Sequence, residues 1–182
     1  MNTDPRYPIG RLSDQQLIGN EPYSDAIRNV HSNDIRNLPQ LLEYAVQDLD
    51  AAELNTPYRP GGWTLQQVVH HVADSHMNAY TRFKLALTED NPTIKPYDEA
   101  AWAMLKDTEL VPVNISLTLL HALHARWYVL LQNISEEEWQ RTVYHPAQQK
   151  NSTLWQLLAS YAWHGKHHTA HITHSRQRGI HD

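Results

Sequence analysis

The sequence predicts an all-α protein that folds as a four-helix bundle with additional short helices. Four long stretches carry apolar residues at intervals of three and four, the spacing that places them on one face of a helix. The connections between these stretches are of moderate length and contain proline, glycine and asparagine, which favour turns. The 182 residues contain no internal repeat and no recognisable linker, so we expect a single domain over residues 1–182.

The first long stretch is predicted to form two helical pieces after an irregular segment over residues 1–20. The spacing of apolar residues predicts one helix over residues 22–37 and a continuation over residues 40–49. Pro39 lies between them. Because proline has no amide hydrogen and its ring collides with the preceding turn, we expect it to kink or break the helix there.

The middle of the sequence predicts two further long helices. Thr64 is a favourable N-cap, and the helix that follows is expected to reach about residue 87. A short helix is predicted over residues 98–106, after a proline-containing loop. A proline and an asparagine then introduce the next long helix, which is expected to end near residue 132.

The C-terminal part is predicted to contain a short helical turn and the last long helix. Residues 135–138 have the spacing of a capping box, in which a serine and a glutamate satisfy each other's free amides. Residues 144–150 are expected to form a loop with short extended pieces. Asn151 or Ser152 is then expected to cap a helix that runs to about residue 177.

The composition excludes several classes of protein and site. The chain has no cysteine, so it contains neither a disulfide nor a thiolate metal ligand. Its net charge of −5 gives no basic surface of the kind that nucleic-acid binding requires. No apolar run has the length of a membrane span, and the N-terminus shows no secretion signal, so we expect a cytoplasmic protein. The 13 histidines are the unusual feature.

Two histidines on the predicted last helix have the spacing of a metal-binding pair. His164 and His168 are four residues apart, which places them one above the other on a helix face. The apolar residues of this helix define a stripe that contains His168 and has His164 at its edge, whereas His167 and His171 fall outside it. The spacing therefore favours His164 and His168 as the inward pair, although it also arises by chance in a histidine-rich chain.

The predicted helix after Thr64 offers two candidates for a third ligand. His71 lies at the border of its apolar stripe, and His76 lies nearer the middle of the stripe, so periodicity leaves both open. His76, His121 and His124 are each interpreted as core histidines that are hydrogen-bonded to neighbours. Three others are expected at the surface or in loops: His31, His145 and His181.

Several long blocks of this sequence match the pattern of a known family. They include Arg59-Pro-Gly-Gly-Trp-Thr, Val68-Val-His-His-Val-Ala-Asp-Ser-His-Met-Asn and Tyr161-Ala-Trp-His-Gly-Lys-His-His-Thr-Ala-His-Ile. Together with the block that begins at Arg82, they resemble the YfiT-like branch of the DinB superfamily over nearly the whole chain. Members of this family are helical bundles described as metal-dependent hydrolases, and some relatives are bacillithiol S-transferases.

The resemblance implies a three-histidine site and an oligomeric state. By position in the family's motifs, the metal ligands are His71, His164 and His168. The resemblance also implies one zinc or nickel ion per subunit, a small-molecule substrate, and a homodimer. No nucleic-acid or membrane partner is expected.

The leading functional interpretation is a divalent-metal-dependent hydrolase. A metal ion on three imidazoles can activate water for hydrolysis or a low-molecular-weight thiol for transfer to an electrophile, and the sequence does not separate these reactions. Asp74 and Arg82 lie on the predicted helix of His71 and are the candidate catalytic residues. Asp74 could act as a base or could orient a metal ligand, and Arg82 could bind the substrate. The second alternative is a non-catalytic metal-binding stress protein, in which His171 could close the site as a fourth ligand.

Overall fold

The structure, a computed structural model, describes residues 4–12 and 19–179, with side chains up to residue 177. It confirms the predicted four-helix bundle with short additional elements. The helices are α1 (Asp25–Val46), α2 (Ala51–Leu54), α3 (Leu65–Thr88), α4 (Glu99–Trp102), α5 (Lys106–Leu110), α6 (Val113–Gln132) and α7 (Leu154–Gly179). Among the described residues, no helix is long and apolar enough to cross a membrane.

The four long helices pack as a closed bundle. Each of α1 and α3 packs against both α6 and α7. A 3-10 turn at Glu138–Gln140 and an antiparallel hairpin join α6 to α7. The hairpin strands are β1 (Thr142–His145) and β2 (Lys150–Thr153), and residues 142 and 145 pair with residues 153 and 150. The expected short extended pieces are therefore a paired hairpin.

Pro39 does not break the first helix, so the predicted division into two helical pieces is wrong. α1 runs without interruption from Asp25 to Val46, with Pro39 buried inside it. A proline at this position removes the amide that would have bonded to the carbonyl of Ile35, four residues earlier. That carbonyl instead accepts a hydrogen bond from the buried ring of His124 on α6. Tertiary packing thus satisfies the group that proline leaves without its helical partner.

The predicted short helix over residues 98–106 is two shorter helices. α4 is capped by the Asp98 carboxylate, which accepts from the amide of Ala101 at 2.9 Å. A turn then separates α4 from α5. The side chain of Gln67 on α3 donates to the carbonyl of Ala103 in this turn at 2.8 Å. This bond fixes the segment against α3, beside the helical turn that carries His71.

The core consists of two apolar clusters with a layer of buried histidines between them. One cluster centres on Phe83 and Trp127, and the other centres on Leu42 and Val69. Along α3, α6 and α7, the residues of one cluster precede the buried histidines and those of the other follow. The histidine layer, as we call it, contains the buried His76, His124 and His168 and the half-buried His164.

Gly165 allows α1 and α7 to approach closely beside this layer. A Cβ atom at Gly165 would lie 2.6 Å from Cδ2 of Leu38 on α1, inside van der Waals contact. Any larger residue would therefore displace Leu38 or separate the two helices. The glycine next to His164 thus sets the depth at which this histidine enters the bundle.

We predict that Phe83→Ala lowers the free energy of unfolding by about 3–5 kcal/mol, because a fully buried ring is replaced by a cavity. Phe83 packs edge-on against Trp127 at 5.4 Å between ring centroids. Urea unfolding followed by circular dichroism measures the loss. Val129→Ala on α6 is the control, because Val129 is 61% exposed and its truncation should change stability little. Equal losses in the two variants would contradict this description of the core.

Candidate metal centre

Three histidines from two helices converge at one point of the bundle. His71 comes from α3, and His164 and His168 come from consecutive turns of α7. One nitrogen from each ring lies within 4.8 Å of the other two. The Nε2 atoms of His71 and His164 are 3.2 Å apart. Four residues bring the α7 pair onto one face, and the contact between α3 and α7 supplies the third ring.

Burial keeps these three rings in the form that binds metals. Removal from water lowers the pKa of His71 to about 4, and the neighbouring His171 adds to the decrease. Burial also lowers the pKa of His164 and of His168 well below the usual value, with smaller contributions from the surrounding histidines. All three imidazoles are therefore neutral at pH 7, with lone pairs available for a cation.

His76 lies behind the site rather than in it. Its Nε2 is 3.2 Å from Nδ1 of His164, on the side of that ring away from His71. Its other nitrogen is 3.1 Å from Nε2 of His124. His76 and His124 are both fully buried. The interpretation of His76 and His124 as hydrogen-bonded core histidines is confirmed, and the convergent group contains His71 instead of His76.

His167 and His171 are buried although they lie outside the apolar stripe of α7. They are 7% and 3% exposed, because the N-terminal segment and the loop before α3 cover this face of the helix. Nε2 of His171 is 3.2 Å from the carbonyl of Arg6, and its ring stacks on Tyr58 at 4.1 Å. Helical periodicity did not reveal these contacts, because they come from irregular segments. Nδ1 of His171 faces Nδ1 of His168 at 3.3 Å.

Three further histidines that the structure describes, His31, His121 and His145, lie away from the three converging rings. His121 is exposed and pairs with Glu43 at 3.2 Å, so the prediction that it belongs to the core is wrong. Its position on α6 faces solvent rather than the neighbouring helices. His31 is half-buried near Glu21 and Asp34, and His145 is half-buried at the end of β1. His181 lies outside the described residues.

A cavity of about 320 Å³ opens beside the three histidines. Its walls combine aromatic rings with a few polar side chains, as in many small-molecule sites. Arg82, one of the two predicted catalytic residues, lines it and donates to the hydroxyl of Tyr161 at 2.6 Å. The lining residues that sequence reasoning missed are Leu12, Tyr97, Glu99, Ser160, Tyr161 and Trp163.

Glu99, not Asp74, is the carboxylate in the lining of this cavity. Burial raises the pKa of Glu99, whereas the nearby Arg82 acts in the opposite direction. Asp74 is half-buried elsewhere on α3, where burial and the Asp107 carboxylate raise its pKa to about 6. Glu99 follows a proline-rich loop whose course no periodicity predicts, so the sequence held no signal for its place.

A second cavity of about 380 Å³ also borders His168. The N-terminal segment and the loop before α3 form its walls, with Arg6 and Arg59 among the lining residues. Arg6 is paired with Asp4 at 2.8 Å. The Arg59 guanidinium donates to the Tyr58 hydroxyl at 3.2 Å. His167 and His168 border both cavities, so the three-histidine group can be approached from two directions.

Proteins with similar sequences are named as metal-dependent hydrolases. A Bacillus cereus (strain 03BB102) protein named "Putative metal-dependent hydrolase" is 50% identical over 175 residues, which cover 96% of this chain and 97% of that protein. A Bacillus thuringiensis subsp. konkukian (strain 97-27) protein with the same description has the same identity and coverage.

The fold and the sequence family agree with this relationship. The structure of YfiT from Bacillus subtilis, described as "a probable metal-dependent hydrolase with an unusual four-helix bundle topology", matches with a TM-score of 0.89 at 42% identity. The match covers 97% of this chain and 98% of that one. Residues 35–172 match the DinB superfamily. The resemblance identified in the sequence motifs is thus confirmed, and the chain belongs to the DinB superfamily, with YfiT as a structural relative.

Proposed function

We propose that this protein is a divalent-metal-dependent hydrolase whose ion is held by His71, His164 and His168. The observation that carries the proposal is the convergence of three neutral imidazoles within 4.8 Å at the wall of a cavity. The names of the relatives support the same reaction class. Three protein ligands are typical of catalytic zinc sites, because they leave a coordination position for water or substrate.

The donor set fits such an ion in distance and in chemistry. Two nitrogens that each lie about 2.0–2.1 Å from a tetrahedral zinc are about 3.3–3.4 Å apart. The 3.2 Å between Nε2 of His71 and Nε2 of His164 is close to this separation. Imidazole nitrogens suit zinc and nickel, so we propose one such ion per subunit. A homodimer is an expectation from the family resemblance, and a cytoplasmic location is an expectation from the sequence composition.

The bound ion would supply a water nucleophile at neutral pH and would polarise the bond to be cleaved. The chain itself supplies the substrate contacts. Arg82 is held in place by Tyr161 and can bind a carbonyl or anionic oxygen of a small-molecule substrate. Glu99 lies in the same cavity, and its carboxyl group can take part in proton transfer. The aromatic wall would exclude bulk water from this region.

Asp74 keeps a less direct role in this proposal. Its pKa of about 6 would allow it to exchange a proton near neutral pH. Asp74 lies one turn from His71 on α3. Among the described residues, however, Glu99 and not Asp74 lines the cavity beside the histidines. We therefore propose that any contribution of Asp74 is to orient α3 side chains.

We predict that His164→Ala abolishes stoichiometric zinc or nickel binding while the bundle remains helical. The two apolar clusters, rather than the ion, supply most of the core. Metal content after loading and desalting measures binding, and far-ultraviolet circular dichroism measures helix content. His121→Ala removes an exposed histidine and serves as the control. If His164→Ala retains one tightly bound ion, the ligand assignment is wrong.

We predict that the metal-free protein loses stability as the pH falls from 7 to 5. The unfolded His71 takes up a proton near pH 6.5, whereas in the folded protein its pKa is about 4. Between these values the unfolded state binds more protons, so acidification favours unfolding. His71 alone should contribute about 2 kcal/mol of this loss. Urea unfolding in the presence of a chelator tests it, and equal stability at the two pH values would contradict it.

The reaction class is tested by assays with and without a thiol. We predict that the zinc- or nickel-loaded protein releases the alcohol from activated esters without any thiol, and that His164→Ala loses this activity. Product formation only in the presence of a low-molecular-weight thiol, with a thioether as product, would instead establish an S-transferase. A tightly bound ion without either activity would favour the non-catalytic alternative. Each reaction is followed by mass spectrometry of the product.

A further inference from the structure

A continuous chain of hydrogen bonds connects His164 to the backbone of α1. Nδ1 of His164 is 3.2 Å from Nε2 of His76, and Nδ1 of His76 is 3.1 Å from Nε2 of His124. Nδ1 of His124 in turn bonds to the carbonyl oxygen of Ile35. The chain therefore crosses from α7 through α3 and α6 to α1. The rings of His76 and His124 lie within 10° of parallel, as suits an in-plane hydrogen bond.

The backbone carbonyl determines the direction of every bond in this chain. A carbonyl oxygen can only accept, so His124 must carry its proton on Nδ1. Its Nε2 is then an acceptor, which requires His76 to donate from Nδ1. Nε2 of His76 is consequently also an acceptor, and His164 must donate to it from Nδ1. The proton of His164 is thereby assigned, and its Nε2 is left with a lone pair.

That lone pair faces the other candidate ligands. Nε2 of His164 is the atom that lies 3.2 Å from Nε2 of His71. The opposite tautomer of His164 would place a hydrogen there and would exclude a cation. Nε2 of His164, which His76 does not contact, is thus the nitrogen that points to the proposed ion.

Pro39 makes the carbonyl of Ile35 available for this purpose. In an uninterrupted helix this oxygen would accept from the amide of residue 39, and proline has no such amide. The oxygen therefore turns its full acceptor capacity to His124. Pro39 thus leaves this oxygen without its helical donor, and the buried ring of His124 on α6 supplies another.

We propose that His76 and His124 are positioning residues that fix the tautomer and the orientation of His164 for binding a divalent cation through Nε2. This inference rests on the proposed function, because it takes the three-histidine group as the ion site. Partners of ligand histidines usually are carboxylates, carbonyls or water, and they commonly strengthen binding by orienting the ring. In this bundle the imidazoles of His76 and His124 take that place, and the carbonyl of Ile35 ends the chain of hydrogen bonds.

The other ligand on α7 has a partner of the same kind. Nδ1 of His168 lies 3.3 Å from Nδ1 of His171, and Nε2 of His171 bonds to the backbone oxygen of Arg6 at 3.2 Å. The acceptor at Arg6 is again a backbone carbonyl. Both ligand rings on α7 thus contact a second histidine through Nδ1, which agrees with a common use of Nε2 for the ion.

The first experiment determines the tautomers in the metal-free wild-type protein. Long-range ¹H–¹⁵N correlation spectra distinguish a protonated Nδ1 from a protonated Nε2 in each imidazole. We expect the Nδ1–H form for His124, His76 and His164. The Nε2–H form at any of the three would overturn the proposal. This result does not depend on which reaction the protein catalyses, so it is separable from the enzyme assays.

The second experiment measures zinc affinity by competition with a chromophoric chelator. We expect His76→Phe, which keeps the ring volume but removes the acceptor, to bind zinc about 10–100-fold more weakly. His124→Phe acts one ring further away and should show a smaller loss. His76→Gln, whose amide oxygen can accept from His164, should recover part of the affinity. An unchanged affinity in His76→Phe would overturn the proposal.

The matched control is His70→Phe. His70 is also buried on α3, but its ring bonds to Ser116 at 2.7 Å and to the carbonyl of Val111 at 3.0 Å, away from the three-histidine group. We expect this variant to lose stability but to keep the wild-type zinc affinity. Thermal unfolding of each metal-free variant separates the two effects. Equal losses of affinity in His70→Phe and His76→Phe would show that the change is only structural.

Discussion

Imidazole nitrogens buried in an apolar core are most stable when they find hydrogen-bond partners within the protein, and the arrangement of this bundle depends on that preference. The histidine layer lies between the two apolar clusters. The layer is therefore bonded internally, from His164 to the carbonyl of Ile35. A polar network of this kind is stable only when all its members are paired, which restricts how the four long helices can pack.

The same burial gives the proposed site its chemical character. Removal from water keeps the imidazoles neutral, and neutral imidazoles attract a cation without first releasing protons. Aromatic rings also contact the proposed ligands, as the edge-on contact of His164 with Tyr161 illustrates. The irregular segments then close the outer face of α7, where Tyr58 stacks on His171. Regular helices thus supply the ligands, and loops complete their surroundings.

Sequence patterns were sufficient for the parts of the structure that repeat with the helix. The long helices, and the inward position of His164 and His168, follow from apolar spacing, and His71 follows from its place in the family's motif. Features that depend on contacts between distant segments were not predictable. The burial of His171 requires the N-terminal segment, and the presence of Glu99 in the cavity requires the path of a loop. Periodicity describes one helix and contains no information on what covers it.

The continuous first helix shows how one residue can couple backbone geometry to a distant side chain. Pro39 is compatible with α1 because His124 donates to the oxygen that the proline leaves without its usual partner. The two positions are therefore linked through one backbone oxygen. A relative with a non-proline residue here would already have an amide at that oxygen, and a relative without the α6 histidine would bury an unpaired carbonyl. Substitutions at positions 39 and 124 should accordingly be accepted as a pair more readily than one at a time.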